Sequence, residues 1–275
     1  MKAQEFEFLD KVDSGSFSTI HLCRRISDDG EFIIKKSKYF KYADNEVSIM
    51  RKLRHPNVVT FHGTWKDENA VYIVMEFLSG GSLADLLWNY EEEYTPMDEQ
   101  DALKFFSQLA LGLHHIHSLR IMHRDLKPEN VMFTAPSRKV KILDFGLSWD
   151  TSTEEKVRVL NPNAWSAPEH WSTDAPHSFS SDIWSIGALL FQVITGKEPK
   201  KLQDKLELLT RFPLPLQTIS EKILKIEPDQ RPSTAEVISS PELKSSIVEY
   251  YKDLQQCEKT IMKDELENLV LFEES

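Results

Sequence analysis

The sequence predicts an α+β protein of two lobes, a small β-rich N-terminal lobe with one helix and a larger, mostly helical C-terminal lobe. Three observations carry this reading. From Phe6 to about Phe77 the apolar residues come in short runs rich in Ile, Val, Tyr and Phe, as strands require. After "SGGSL" at 79–83 the apolar spacing changes to a helical period. The 275 residues, 40% of them hydrophobic, suffice for one large domain or for two lobes sharing a cleft. On this pattern the small lobe covers 1–78, the large lobe 79–243 and a helical tail 244–275.

The elements follow in order. "EFIIKK" and "AVYIVMEF" read as strands. Between them, "DNEVSIMRKL" places Val47, Met50 and Leu53 on one helix face, with Glu46 near its start, and the proline of "HPN" (55–57) forbids continuation. A hinge falls near Glu76–Ser79. The acidic run Glu91–Glu93 reads as a solvated loop. "TPMD" (Thr95, Pro96, Asp98) predicts a capped helix start with Pro96 at the first helical position. Leu103, Phe106, Leu109 or Ala110, Leu113 and Ile116 then form the apolar stripe. "SDIWSIGALLFQVITG" is apolar on most faces, which predicts a buried helix stopped by Gly196. In the tail, Ile247, Tyr250, Leu254, Cys257 and Ile261 alternate three and four apart. This predicts a helix lying on the body of the same chain, with a homodimer through the tail as the alternative.

Charge and composition narrow the function classes. Lys and Arg total 33 against 44 Asp and Glu, a net charge of −11. Bulk attraction to nucleic acid or to an anionic membrane is therefore not expected. The two cysteines lie far apart, so a disulfide framework is not expected and a reducing compartment is. "MKAQEFEFLD" lacks the apolar core of a signal peptide, and no run approaches the roughly 18 apolar residues of a membrane span. The expectation is a cytoplasmic protein. His114, His115 and His117 cluster without a zinc spacing such as H-E-x-x-H, so they are not read as ligands.

The chemistry lies in "HRDLKPENVMF" (123–133), followed by "DFG" at 144–146. In this order and spacing the motifs resemble a eukaryotic protein kinase, and "KPEN" resembles the serine/threonine branch. The resemblance covers about residues 6–243. It implies the bilobal protein-kinase fold, ATP and Mg²⁺ as cofactors, and a protein substrate whose hydroxyl receives the γ-phosphate. Such transfer needs positioning and charge neutralisation more than covalent help. By resemblance, Asp125 accepts or orients the substrate proton, Lys127 neutralises charge on the transferring group, and Asn130 and Asp144 hold the metal. "FIIKK" resembles the strand that carries the phosphate-binding lysine. Lys35 takes that role, with Lys36 on the opposite strand face as the structural alternative. Glu46 is the implied helix partner of Lys35. The implied nucleotide site comprises Val12, Gly15, Ser16, Ile20, Ile33, Lys35, Met75, Glu76, Leu78, Ser82 and Met132. Met75 is the implied gatekeeper, and Glu76–Leu78 offer backbone bonds to adenine. "APE" (167–169) closes the activation segment, Glu169 pairs with Arg231, and Asp182 braces the catalytic loop.

The pattern also breaks. In "KVDSGSFSTIHL" the three glycine positions of the phosphate loop hold Asp13, Gly15 and Ser18, with Phe17 at the tip. Ile33 stands where the family shows alanine, and should crowd the adenine slot between Ile20 and Met132. Asn161, Pro162 and Trp165 replace the usual Gly, Thr and Tyr before "APE". Two readings follow: an active serine/threonine kinase, or a pseudokinase acting as a binding or scaffolding module with weak or no transfer. Arg124 before Asp125 resembles kinases switched by activation-segment phosphorylation, with Thr151, Ser152 and Thr153 as candidate acceptors.

Overall fold

The structure is a computed structural model and describes residues 1–15, 18–88, 95–153, 162–171, 178–200 and 209–267. Five antiparallel strands form the N-terminal sheet: β1 (Phe6–Ser14), β2 (Ser18–Arg25), β3 (Glu31–Ser37), β4 (Phe61–Lys66) and β5 (Val71–Glu76). Their order is β1-β2-β3-β5-β4. Strand alternation sorts this sheet into two faces. Phe32 and Ile34 of β3 join Phe6, Cys23, Tyr72 and Val74 in a small outer core. Trp65 packs on that core, stacked on Tyr72 at 4.8 Å and on Phe6 at 5.8 Å. Ile33, Val71, Ile73 and Met75 face the other way and join the main core, together with Val47 and Met50 of helix α1 (Phe40–Met50).

The large lobe is helical, as the spacing predicts. It comprises α2 (Leu83–Trp88), α3 (Glu99–Ser118), α4 (Phe179–Thr195), α5 (Leu214–Ile223), α6 (Thr234–Ile238), α7 (Pro241–Asp253) and α8 (Gln256–Glu267). Two short hairpin-like pairs lie at its upper face. β6 (Ile121–Met122) pairs with β9 (Trp149–Asp150), and β7 (Val131–Phe133) pairs with β8 (Val140–Ile142). Helix α4 is buried over almost its whole length and ends at Gly196, whose φ of 69° is the left-handed C-cap conformation that glycine adopts without penalty. A β-rich first lobe on a helical second lobe is the bilobal α+β architecture that the sequence predicts.

Three sequence expectations need correction. Helix α1 runs over Phe40–Met50, not 44–53. It starts earlier and stops before "HPN", although Leu53 is buried as its pattern required. Helix α3 begins at Glu99 with Asp98 as N-cap, the Asp98 carboxylate accepting the Asp101 amide at 2.9 Å. Thr95 and Pro96 lie before the helix. The tail is two helices broken at Leu254–Gln255, so its heptad spacing does not describe one continuous face. Ile247, Tyr250 and Leu254 are buried against the large lobe, whereas Cys257 is exposed; Met262 and Leu266 do the burying in α8. Ser16, Phe17, Glu91–Glu93 and Asn161 lie outside the described residues.

Candidate active site

A cleft of about 420 Å³ opens between the lobes, within the size range of small-molecule sites. Its walls include Val12, Ile20, Ile33, Lys35, Met75, Glu76, Leu78 and Ser82 from the sequence-derived set. Asn130, Met132 and Asp144 line it from below, and Glu46 reaches it from α1. Gly15 lies at the β1–β2 turn, its amide donating to Ser18 O at 3.0 Å. A Cβ there would meet only Ser18 O, at 3.9 Å, so neither packing nor φ within the protein demands glycine. The implied nucleotide site did not include Val59, Asp85, Glu129 and Leu143, which also line the cleft, as does Phe77 of the Glu76–Leu78 hinge. Leu143, immediately before Asp144, was the most accessible of these to a sequence argument. Asp85 binds Ser82, whose amide and hydroxyl both donate to Asp85 Oδ2 at 2.8 and 2.7 Å.

The amine and two carboxylates converge here. Lys35 Nζ lies 2.8 Å from Glu46 Oε1 and 2.8 Å from Asp144 Oδ1. The alternation of β3 decides between the two lysines. Lys35 shares the inner face with Ile33, while Lys36 points to the outer face and lies 5.4 Å from the Tyr72 ring centroid. Burial opposes the charge on Lys35, but Asp144 and Glu46 outweigh it and raise its pKa above the ordinary lysine value. Burial likewise opposes ionisation of Asp144, yet the Lys35 charge and hydrogen bond hold that carboxyl well below the usual range. For Glu46 burial prevails over Lys35, and its pKa is raised.

Asp144 is held in the left-handed region, φ 60°, and Arg124 likewise at 71°. Such conformations are costly for non-glycine residues and persist only where surrounding contacts impose them. Those contacts are present. Phe145 is fully buried, edge-on to His123 at 5.1 Å, and Gly146 N donates to Asp144 Oδ1 at 3.1 Å. Asp182 on α4, itself buried, accepts the amides of His123 and Arg124 at 2.8 Å each and the His117 ring at 2.9 Å. His123 accepts the Asp125 amide on Nδ1 at 3.3 Å and donates from Nε2 to Leu143 O at 2.8 Å, which sets its neutral tautomer. The loop carrying Asp125 and the segment carrying Asp144 are thereby tied together.

Around Asp125 the polar groups form a closed set. Lys127 Nζ lies 2.9 Å from Asp125 Oδ2, and Asn130 Nδ2 donates to Asp125 Oδ2 at 2.9 Å and to Asp125 O at 2.7 Å. Burial works against the Lys127 charge, but Asp125 prevails and raises its pKa. The amide hydrogens of Asn130 are spent on Asp125, so its offer to a cation is Oδ1. Lys35 and Gly146 both bind Asp144 Oδ1, which leaves Oδ2. Two oxygen donors, one of them a fully ionised carboxylate, suit a hard cation such as Mg²⁺.

Several supporting contacts carried no sequence signal of their own. Asn45 Nδ2 donates to Ser148 O at 3.0 Å, and Lys52 pairs with buried Asp150, so α1 and the turn that follows it are stitched to the segment 148–150 after Asp144. Lys141 pairs with Glu76 at 2.6 Å, which turns that carboxylate toward Thr60 and leaves the hinge backbone at the cleft. Glu169 and Arg231 form a two-point fork at 2.8 Å each, as the resemblance implied. Trp165 is buried and donates to Gln192 Oε1 at 2.8 Å. Asp13 lines the cleft mouth, its carboxylate accepting the Ser14 amide at 2.6 Å. Ile33 lines the cleft, which stays open at about 420 Å³. Arg124 Nε and Nη1 are buried with no hydrogen-bond partner among the described residues, and burial lowers this guanidinium's pKa to about 10. The Thr151, Ser152 and Thr153 hydroxyls donate to Arg120 O, Asp150 Oδ1 and Asp150 O, respectively. No group of three or more His, Cys, Asp or Glu side chains placed to hold a metal ion occurs among the described residues.

Comparison with known proteins adds an independent line. The family model described as protein kinase domain matches residues 6–243. Serine/threonine-protein kinase Nek5 of Mus musculus is 27% identical over 260 residues, covering 88% of this chain and 41% of the relative. Serine/threonine-protein kinase Nek8 of Danio rerio is 26% identical over 286 residues, covering 97% and 41%. Serine/threonine-protein kinase GIN4 of Saccharomyces cerevisiae is 33% identical over 215 residues, covering 72% and 18%. The chain thus spans less than half the length of these curated relatives. A family match over most of the chain, on a bilobal fold whose interlobe cleft gathers the motif residues, makes this chain a member of the eukaryotic serine/threonine protein kinase family.

Proposed function

We propose that this chain transfers the γ-phosphoryl group of ATP to a serine or threonine hydroxyl of a protein substrate. One observation carries the proposal: Lys35, Glu46 and Asp144 meet through 2.8 Å contacts in the interlobe cleft, and Asn130, which lines the same cleft, is joined to Asp125 and through it to Lys127 by 2.9 Å contacts. In this reading Ile20, Ile33 and Met132 sandwich the adenine, and the backbone of Glu76–Leu78 orients it. Gly15 leaves room for phosphate close to the β1–β2 turn. Lys35, steered by Glu46, holds the α- and β-phosphates. Asp125 orients the acceptor hydroxyl and takes its proton, while Lys127 offsets the charge on the transferring group. Mg²⁺ held through Asn130 and Asp144 would supply charge neutralisation across the phosphates.

Two observations favour the alternative of a pseudokinase that acts as a binding or scaffolding module with weak or no phosphoryl transfer. Asp13 places a carboxylate at the cleft mouth, and Pro162 offers no hydroxyl to Asp125 or Lys127. A radiolabelled-ATP assay on a generic basic protein, with Asp125→Asn as control and EDTA as a second arm, separates the readings. Transfer that exceeds the control and disappears with EDTA supports the kinase. Wild type and Asp125→Asn transferring equally little, with a thermal shift on adding ATP and Mg²⁺, supports the pseudokinase. The unpartnered Arg124 nitrogens further support a phosphate-dependent switch, although phosphorylation at Thr151, Ser152 or Thr153 requires that hydroxyl to leave its present acceptor. Mass spectrometry of active protein checks this, and finding all three unmodified counts against it. Cys23 and Cys257, both free thiols, support a reducing and hence cytoplasmic setting; no helix among the described residues is long and apolar enough to cross a membrane. The burial of Tyr250 and Leu254 against their own chain supports a tail that belongs to the monomer rather than to a dimer.

A further inference from the structure

The family match ends at residue 243, yet the chain beyond it reaches a junction directly behind the cleft. Asn57, fully buried in the loop between α1 and β4, is the centre of that junction. Its carbonyl accepts the Ile142 amide at 2.9 Å, and Ile142 O accepts the Val59 amide at 3.0 Å. Its side-chain Nδ2 donates to Val140 O at 2.8 Å and to the hydroxyl of Tyr250 at 2.8 Å. Tyr250 lies in the last turn of α7, 8% exposed, and burial raises its pKa so that it remains a neutral phenol. One helix further on, both Glu258 oxygens lie 2.7 Å from Lys139 Nζ, and Oε2 also accepts the Gln255 amide at 2.8 Å. Lys139 immediately precedes β8. That strand runs through Leu143 into Asp144, and the loop at Asn57 is the continuation of the helix that carries Glu46.

We propose that the tail is a brace in which Tyr250 and Glu258 are positioning residues, locking the loop behind Glu46 to the strand that delivers Asp144. Two contacts from outside the family domain grip the two segments whose alignment sets the Lys35–Glu46–Asp144 triangle. Tyr250 holds the Asn57 side with a buried hydroxyl. Glu258 holds the β8 side with a charge-assisted pair of bonds. Loss of these contacts frees both segments without touching any cleft-lining side chain. The consequence for phosphoryl transfer rests on the kinase reading above; the bracing itself does not.

The test uses the full chain with Tyr250→Phe, Glu258→Gln and the double variant. Glu249→Gln serves as control, because Glu249 also lies on α7 but pairs with Lys104 away from the junction, at 3.0 Å. Amide hydrogen exchange is read at Asn57–Val59 and Ile142, and separately along α4. The expected result is exchange about tenfold faster at the junction in the double variant, no change along α4, and no change in the Glu249→Gln control. In active protein kcat falls severalfold while the KM for ATP holds, because the cleft walls are intact. Unchanged junction exchange, acceleration spread equally through α4, or an unchanged kcat in an active protein each overturns the proposal. Local acceleration in a protein that transfers no phosphate even as wild type upholds the brace and rejects the kinase reading instead.

Discussion

Replacing Asp182 with asparagine should disable the chain from a distance. The carboxylate accepts His123 N and the His117 ring on Oδ2 and Arg124 N on Oδ1, all within 2.8–2.9 Å. Asparagine keeps the shape but turns one acceptor into a donor. The less costly orientation keeps oxygen toward His117 and His123 and sets NH₂ against the Arg124 amide. That part-buried amide then loses a bond to a charged group, which contributes about 1.5–3 kcal/mol, and is left unsatisfied at a cost of about 1–3 kcal/mol. Part of this is one loss counted from two sides, so the net expectation is about 3 kcal/mol. A urea slope of about 1–3 kcal/mol per molar makes that a midpoint shift of about 1–3 M. The backbone at Arg124, already at positive φ, should relax and displace Asp125; a misplacement on the order of 1 Å costs about a hundredfold in rate. The ATP-induced thermal shift should survive, because Lys35 and the cleft walls are untouched. A pH series adds a signed check. Burial raises the Asp182 pKa, but His117 and the backbone donors prevail and hold it below the ordinary value. Its stabilisation is therefore complete above the unfolded pKa near ~4 and is lost as pH falls through the depressed folded value. The gap between wild type and Asp182→Asn should close in acid. A midpoint shift under about 0.3 M, well below the linear-extrapolation estimate, together with unchanged kcat, would refute the reasoning.

Two other changes probe separate parts of the site. Ile33→Ala should widen the slot beneath Ile20 and tighten ATP binding by about fivefold, from about 1 kcal/mol of relieved overpacking; titration with ATP and Mg²⁺ reads it, and weaker binding would show that Ile33 contributes contact rather than obstruction. Glu169→Gln breaks the fork to Arg231, whose side chain is fully buried, and should cost about 3–5 kcal/mol in a urea titration. Pairing Glu169→Gln with Arg231→Met should cost less than Glu169→Gln alone, because no unpaired charge then remains buried; an additive loss would contradict this.

Much of this was legible because the relevant signals are local. The motif resemblance points Ile33 and Lys35 at the nucleotide and alternation sets Lys36 on the opposite face; Ile33 packs on the inner cluster with Val71, Ile73 and Met75. The helix ended by Gly196 was readable from an apolar run and a left-handed stop. Element boundaries were less so. Asp98 caps α3 because its carboxylate reaches the Asp101 amide, a choice over Thr95 that the backbone settles and the residue types leave open. The tail failed as a heptad for the same kind of reason: a break at Leu254–Gln255 lets Met262 and Leu266 turn inward where Cys257 and Ile261 had the better spacing.

The sequence by itself determined the chemistry on offer: which carboxylates, amides and amines exist, and in what order along the chain. Motif residues a few positions apart share one loop, so spacing alone brings Asn130 to Asp125. Only the tertiary structure decided the long-range meetings, such as Lys35 with Asp144, Lys52 with Asp150 and Tyr250 with Asn57. Those partners lie 109, 98 and 193 residues apart along the chain and are brought together only by folding, and a single sequence contains no term for such distances in space. Burial then set how each charge behaves, because desolvation and the identity of the neighbour exist only once the core has closed around them.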